Sequence, residues 1–276
     1  MEEGGLRLRR QFKHGTPGYP LVSVVTVVRN GERHLEQTIQ SVLSQDYPNV
    51  EYILLDGAST DGTMDIIRRY ADRVDYYRSA PDEGIYDAMN QGVALCKGEL
   101  IGLKNADDWF APGALAQVVR TWQQTSAEVV YGDTYTVWQE MPLRLSLFKS
   151  DHKGLGKGGA IDHRNMFLPR ELYWQTPYDT QYRIASDYDL MLRLWRRGAV
   201  FAHTGTVLGY KRGGGVSSSL KIVREVFALN QQYLGRAIAL KVYAKSLWGM
   251  GLYGYGNRLL KSLLGTEGFA RFKARK

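Results

Sequence analysis

Two adjacent carboxylates, Asp107 and Asp108, follow the apolar run Leu100-Ile101-Gly102-Leu103 after Lys104-Asn105-Ala106. In open α/β sheets, ligands bind at the carboxyl ends of strands, which is where this pair would sit. Side by side in a cleft, the two carboxylates repel and one pKa rises unless a cation neutralises them. Mg2+ or Mn2+ meets that need, since it takes one or two protein carboxylates and fills its shell with water and phosphate oxygens. A solvated turn with an acidic helix start accounts for the same residues. A second acidic cluster is Ser186-Asp187-Tyr188-Asp189. Ser186 and Asp189 have capping-box spacing, which gives Asp189 a structural task. Asp187 is free of that task; it either serves the helix dipole or presents a carboxylate to a cleft.

The elements that must position these groups can be read in order. Leu21 to Val28 is almost continuously apolar and β-branched, as in a strand buried on both faces of a parallel sheet, and it ends at Arg29, Asn30 and Gly31. Leu35, Ile39, Val42 and Leu43 mark one face of a helix that stops before Pro48. Strands at Tyr52–Leu55, Val74–Tyr77 and Leu100–Leu103 alternate with helices at Met64–Tyr70 and from Ile85 through Ala88, Met89, Gly92 and Val93. Alternating βα units imply a doubly wound parallel sheet with right-handed crossovers. The polar clusters at 26–32, 56–61, 79–84 and 105–108 then gather on one edge, which favours a ligand site at Asp107 and Asp108.

Beyond Trp109 the pattern is mixed. A helix is expected over about Pro112 to Gln124, strands at Val129–Tyr131 and Tyr135–Trp138 separated by Gly132-Asp133, a helix from Ile184 to Trp195, and a strand from Val200 to Tyr210. A second, partly antiparallel half follows. The run Gly154-Leu155-Gly156-Lys157-Gly158-Gly159 contains GxGxxG, but no apolar strand precedes it and no amphipathic helix follows, so it is no dinucleotide fingerprint. It is either a loop that closes over a substrate or a plain connection.

Composition sets further bounds. The 276 residues are 44% hydrophobic, enough for one large α/β domain with an appendage. The single cysteine, Cys96, excludes an internal disulfide and a multi-cysteine zinc site. The net charge of +8 is uneven: residues 221–276 hold 11 Lys and Arg against 2 Asp and Glu, which leaves 25 against 26 in residues 1–220. A neutral body argues against a nucleic-acid groove. Residues 1–19 read as a loose arm, 20–220 as the main domain and 221–276 as a basic helical tail. In the tail, Leu240, Tyr243, Leu247 and Trp248, then Leu259, Leu260, Leu263 and Leu264, lie among basic residues, as in interfacial helices; a helical cap packed on the domain is the alternative. No signal-peptide core or membrane-length apolar run is visible, so the expected location is cytoplasmic, with an anionic membrane face as a candidate contact.

Five pieces together, Ser23 to Gly31, Asp56 to Thr63, Asp82 to Gly92, Asn105 to Trp109 and Ala185 to Leu190, resemble the family 2 glycosyltransferases of GT-A fold, especially the branch that assembles bacterial polysaccharides. The resemblance spans Leu21 to about Ser219. It implies a Rossmann-like, mostly parallel sheet with a mixed acceptor-side half and a C-terminal helical appendage. It implies that Thr26, Asn30, Asp56, Asp61 and Asp107 bind the nucleotide, with Asp56 accepting from a pyrimidine ring N–H. Asp82, Glu83, Asp87 and Asn90 would face the donor sugar and diphosphate, Asp107 and Asp108 would hold Mn2+ or Mg2+, and Asp187 would be the catalytic base. His163 and Arg164 fall on the acceptor side, Arg164 standing where relatives often carry Gln, and Asn105 standing where many carry Asp.

The function these expectations describe is inverting, metal-dependent transfer of a sugar from a nucleoside diphosphate donor, UDP-linked for preference, to a saccharide or lipid-linked acceptor in surface polysaccharide or glycolipid assembly. A nucleotide-sugar-forming nucleotidyltransferase would need a Gly-rich, Arg/Lys-bearing triphosphate loop after the first strand, and none is there. A non-catalytic basic membrane-surface module would not need the acidic pair or Asp187, and the chain has both.

Overall fold

A computed structural model describes residues 1–138, 144–213 and 220–248. The chain begins with β1 (Glu2–Gly4) and continues through β2 (Val22–Val28), α1 (Leu35–Leu43), β3 (Val50–Asp56), α2 (Thr63–Arg69), β4 (Tyr76–Ser79), α3 (Ile85–Leu95) and β5 (Leu100–Asn105). The second half comprises β6 (Trp109–Phe110), α4 (Ala114–Thr125), β7 (Val129–Trp138), β8 (Arg144–Phe148), β9 (Met166–Pro169), α5 (Arg170–Gln175), α6 (Ser186–Arg196), β10 (Phe201–Arg212) and α7 (Leu220–Leu234). A further helix, α8, covers 236–248.

All strands join one sheet in the order β1-β4-β3-β2-β5-β9-β7-β10-β6, with β8 on β7. The β4-β3-β2-β5 block is parallel, whereas β9 runs antiparallel to both β5 and β7. The expected parallel half and mixed half are therefore both present. Every residue of β2 is buried, which explains why its sequence lacks the in/out alternation of a one-faced strand. One face of the sheet packs Leu35, Ile39 and Val42 of α1, Ile67 of α2 and Leu115 and Val118 of α4. The other packs Met89 and Val93 of α3, Tyr173 of α5, Leu190 and Leu194 of α6 and Leu229 of α7. Burying each such side chain stabilises the fold by about 1.5–3 kcal/mol.

Several expectations need correction. Gly132-Asp133 does not divide β7: a Cβ at Gly132 would sit 2.6 Å from Cγ of Leu208, so the glycine lets β10 close against an unbroken strand. Residues 1–19 are not a loose arm. β1 pairs with β4, Arg7 reaches the buried Glu51 at 2.5 Å, and Nζ of Lys13 lies 2.9 Å from the buried Asp75. These carboxylates sit at the amino-terminal side of the sheet, and a buried charge without a partner is costly, so the arm is fixed by what it neutralises. In α3, Tyr86 rather than Ile85 turns inward: Tyr86 is 6% exposed and Ile85 43%. The GxGxxG segment is a packed connection, with 3-10 turn His152–Lys157, Leu155 fully buried and Gly156 against the Trp195 ring.

The capping box also fails. The α6 N-cap is Ala185, with no side-chain cap bond, and Asp189 instead binds Arg193 at 2.7 Å and the Tyr233 hydroxyl at 2.9 Å. The boundary at residue 220 is likewise misplaced. Leu229 and Asn230 on α7 are fully buried, and Asn230 accepts from the Tyr188 hydroxyl at 2.8 Å, so α7 is part of the main domain. On α8, Ala239 is buried and Tyr243 meets Phe227 edge-on, while Leu240, Leu247 and Trp248 are exposed. Gly214 to Ser219, Leu259, Leu260, Leu263, Leu264 and the basic residues from Arg258 onward lie outside the described residues. Among those described, no helix is long and apolar enough to cross a membrane.

Candidate active site

A cleft of about 850 Å3 opens where the strand ends converge. Its walls come from the end of β2 (Val28, Arg29, Asn30), the start of α1 (Arg33, His34), the end of β5 (Asn105, Ala106, Asp107), α3 (Ile85, Tyr86), β7 (Thr136, Trp138), the His163-Arg164 turn, Arg183 to Asp187, and the end of β10 (Lys211, Arg212). Segments far apart in the chain thus meet at the carboxyl edge, as the topology requires. Among the described residues, six Lys and Arg side chains line it, Arg29, Arg33, Arg164, Arg183, Lys211 and Arg212, against the two carboxylates Asp107 and Asp187. Such a wall concentrates anions, and a diphosphate would meet several cations at once.

Asp187 occupies one side. Its Oδ2 lies 2.7 Å from Nδ1 of His163, and its Oδ1 accepts from the Tyr86 hydroxyl at 3.0 Å and from the Tyr188 backbone N–H at 2.9 Å. Burial by itself raises a carboxyl pKa, but the imidazole and these hydrogen bonds outweigh it and hold Asp187 below the ordinary carboxylate range. A carboxylate offers about four lone-pair positions. At most three are used here, the single Tyr86 proton being shared with the Ile184 carbonyl at 2.7 Å, so at least one remains for a proton from outside, and the side chain is 21% exposed to receive it. Tyr86 is held neutral by burial and by the Asp187 charge, so it serves as a donor. Its ring stacks on Tyr178 at 5.4 Å, and the same hydroxyl reaches the Ile184 carbonyl at 2.7 Å.

The two adjacent carboxylates part company. Asp107 lines the cleft; Asp108 is 1% exposed and turns beneath it, with Oδ2 3.6 Å from Nε of Arg164 and no hydrogen-bond partner among the described residues. Burial raises its pKa, against the pull of Arg164 and Lys104. Below the cleft floor, Arg164 grips the fully buried Asp162 at 2.6 and 3.1 Å, and Lys211 reaches Asp162 at 3.2 Å. Lys104, also buried, donates to the Arg164 carbonyl at 2.7 Å and to Asn165 at 2.9 Å. Asp108 therefore belongs to an internal charge network, and of the two carboxylates expected at a metal only Asp107 lines the cleft. The donor set is compatible with a hard divalent cation: Asp107 lines the cleft, as does Asn105, whose buried Oδ1 has no partner among the described residues. Among the described residues no group of three or more His, Cys, Asp or Glu could hold a metal without substrate oxygens.

Other expected contacts fall outside the cleft wall. Thr26 is fully buried inside the sheet, its hydroxyl 3.1 Å from that of Tyr52. Asp56 closes the turn after β3 through the Ser59 N–H at 3.0 Å and the Ser79 hydroxyl at 2.6 Å. Asp61 accepts from the Thr63 N–H at 3.0 Å and ties the loop to Glu32 at 3.2 Å. Asp82 accepts from the Gly84 N–H at 3.0 Å, and Asp87 accepts from the Glu83 N–H at 3.0 Å and from Gln91. Glu83 is exposed and uses its carbonyl to accept from Arg183 at 2.7 Å. Asn90 clamps the Tyr178 backbone through both amide atoms at 2.9 Å. These residues shape the loops; Asn30, Asp107, His163, Arg164 and Asp187 face the cavity. Asn30 adopts φ +52° while its Oδ1 accepts from the Thr60 N–H at 2.9 Å, so one backbone twist joins two loops. Sequence reading missed Tyr86, Arg33, Lys211 and Arg212. A tyrosine one position after the apolar residue that opens a helix was the only available signal for Tyr86.

Residues 23–163 match the profile of the family described as glycosyl transferase family 2. The PGL/p-HBAD biosynthesis glycosyltransferase of Mycobacterium bovis (strain BCG / Pasteur 1173P2) is 29% identical over 222 residues, covering 73% of this chain and 80% of the relative. The putative glycosyltransferase EpsE of Bacillus subtilis (strain 168) is 33% identical over 191 residues, covering 65% and 68%. Among solved structures, S. aureus TarS 1–349 in complex with UDP-GlcNAc superposes with a TM-score of 0.63 at 15% identity, covering 82% of this chain and 71% of that one. Mannosyltransferase PcManGT from Pyrobaculum calidifontis, in complex with GDP-Man and Mn2+, gives 0.62 at 18%, covering 98% and 88%. At these identities the structural likeness speaks for the fold.

Proposed function

The chain belongs to glycosyl transferase family 2, and from that premise we propose that it inverts the anomeric centre of a nucleoside diphosphate sugar as it passes the sugar to a saccharide or lipid-linked acceptor. The observation that carries this reading is the position of Asp187: an ionised carboxylate with a free lone-pair position, in the wall of a cleft where basic side chains outnumber carboxylates. Asp187 would take the proton of the acceptor hydroxyl as that oxygen forms its bond to the anomeric carbon and the bond to the diphosphate breaks. His163 and Tyr86 would keep the carboxylate ionised and aimed. Direct attack by the acceptor inverts the configuration. Arg33, Lys211 and Arg212 would offset the charge that grows on the leaving diphosphate.

A divalent ion, Mn2+ or Mg2+, would be held by Asp107 together with the donor's own phosphate oxygens. When bound, it supplies positive charge to the departing diphosphate. UDP is the favoured carrier in this reading, supported by the UDP-sugar complex of a structural neighbour; the GDP-mannose complex of another keeps the base in the test. The names of the curated relatives support a role in glycolipid or surface polysaccharide assembly. The exposed Leu240, Leu247 and Trp248 beside Lys241 and Lys245 on α8 would rest on an anionic membrane face on the cytoplasmic side. Incubation with Mn2+ and a panel of nucleotide sugars, following slow donor hydrolysis and then transfer to lipid-linked acceptors, tests the reading. No turnover with any donor would overturn it.

A further inference from the structure

The three residues that lead into the helix carrying Asp187 are held through their backbone N–H groups by another helix. Both carboxylate oxygens of Glu225, on α7, turn to the segment just before α6: they accept from the N–H groups of Arg183 at 3.1 Å, Ile184 at 2.9 Å and Ala185 at 2.9 Å. An anion at a helix N-terminus satisfies orphan donors and complements the helix dipole. A Glu supplied by another helix therefore anchors the approach to α6, just ahead of the Ser186 and Asp189 that sequence spacing marked for a cap.

This contact reaches the carboxylate at 187 by a short route. Ile184, whose N–H is held by Glu225, gives its carbonyl to the Tyr86 hydroxyl at 2.7 Å, and that hydroxyl also binds Asp187 at 3.0 Å. The strand of backbone entering α6 is thus gripped from its N–H side by α7 and from its carbonyl side by α3. Arg183, in the same segment, extends to the Glu83 carbonyl at 2.7 Å and lines the cleft. α7 is a firm support: Leu229 is fully buried, Asn230 binds Tyr188 at 2.8 Å, and Tyr233 binds Asp189 at 2.9 Å. Residues 225, 229 and 233 recur every four positions, so one face of α7 meets the approach and the first turn of α6.

We propose that Glu225 is a positioning residue for Asp187, fixing from α7 the backbone that sets where the base meets the acceptor hydroxyl. The role assigned to Asp187 is that of the reading above; the placement of the segment is independent of it. Displacement of a reacting group by about 1 Å can cost about 10²-fold in rate.

The test compares Glu225→Ala and Glu225→Gln with Lys221→Gln, an exposed control on the same helix. The readouts are kcat, donor KM, UDP affinity by calorimetry, and the NMR resonance of the His163 ring Nδ1 proton, which senses the 2.7 Å contact with Asp187. Glu225→Ala is expected to lower kcat by about tenfold or more, to shift the His163 signal, and to leave donor KM and UDP affinity unchanged. Glu225→Gln, which keeps one acceptor oxygen and the side-chain shape, should show the same changes in smaller measure, and it carries the test if the alanine variant does not fold. Lys221→Gln should match the parent. An unchanged kcat with an unmoved His163 signal overturns the proposal, as does a joint fall of kcat and UDP affinity. Should the parent protein transfer no sugar, the functional reading fails by itself, and the His163 signal still decides whether Glu225 positions Asp187.

Discussion

Nδ1 of His163 lies 2.7 Å from Oδ2 of Asp187, and this contact opposes the burial that would otherwise raise the carboxyl pKa. A base must be deprotonated to act, so turnover rises with pH through its pKa, and a lowered pKa extends the active plateau toward acid. Replacing His163 with Ala is expected to move the acid limb of the pH–kcat profile upward while the neutral-pH donor KM changes little. An acid limb that stays where it is would mean that the imidazole does not tune the base.

Asp187→Asn should preserve metal-dependent UDP binding and lower kcat by about 10²-fold or more, the scale of a lost general base. NMR of the parent's product should show the anomeric configuration opposite to the donor's. Near-normal turnover in the variant, or a retained configuration, assigns the chemistry to another group.

The separate orientations of Asp107 and Asp108 predict separate phenotypes. Calorimetry with UDP and Mn2+ should show that Asp107→Asn abolishes the metal's contribution to affinity, whereas Asp108→Asn keeps it. If the two variants lose it equally, Asp108 must turn into the cleft when the nucleotide binds.

Arg7→Ala leaves Glu51, 2% exposed, with hydrogen bonds from Ser23 and the Lys97 N–H but without its cation. Loss of one partner of a buried ion pair costs about 3–5 kcal/mol, and the remaining donors place the expected loss at the lower end. Urea denaturation measures it; a change under about 1 kcal/mol would show that the arm neutralises nothing of consequence.

Membrane contact through α8 is best examined by substitution, because a cut at residue 220 would also remove the buried Leu229. Changing Leu240, Leu247 and Trp248 together to Glu should abolish flotation with anionic vesicles and leave the melting temperature near that of the parent. Each basic residue near such a surface contributes about 1 kcal/mol, so neutral vesicles should bind more weakly. Equal flotation of parent and variant would make the exposed face of α8 a surface without a lipid partner.

Much of the fold was legible because hydrophobic period is a local property. β2 through β5 and the helices between them declare themselves by runs such as Leu21 to Val28 and by breaks at Gly31 and Gly98. The cleft edge followed from topology, and Asn30, Asp107, His163, Arg164 and Asp187 do face it. What could not be read depends on contacts made at long range. Thr26 looks like a strand-end hydroxyl until Tyr52 is found beside it. Asp108 is indistinguishable from Asp107 until Arg164 and Asp162 occupy the space beneath the cleft. Ser186 and Asp189 have the spacing of a cap, but Asp189 pairs with Arg193, and Glu225 from α7 takes the Ala185 N–H just ahead of the helix.

The pairing of β6 with β10 sets an order on the making of the site. Trp109 and Phe110, directly after Asp107 and Asp108, find their strand partners only in Tyr210 and Gly209, far later in the chain. Closing so long a loop carries an entropy cost that local contacts do not repay, so such pairings form late. On a growing chain, the parallel block β2 to β5 can assemble while Asp107 still has nothing fixed on its far side. Lys211 and Arg212, at the end of that same β10, complete the cationic wall in the same event. A chain that stops short of β10 therefore lacks the partner strand of β6 together with Lys211 and Arg212, and the cationic side of the cleft is completed only when β10 pairs.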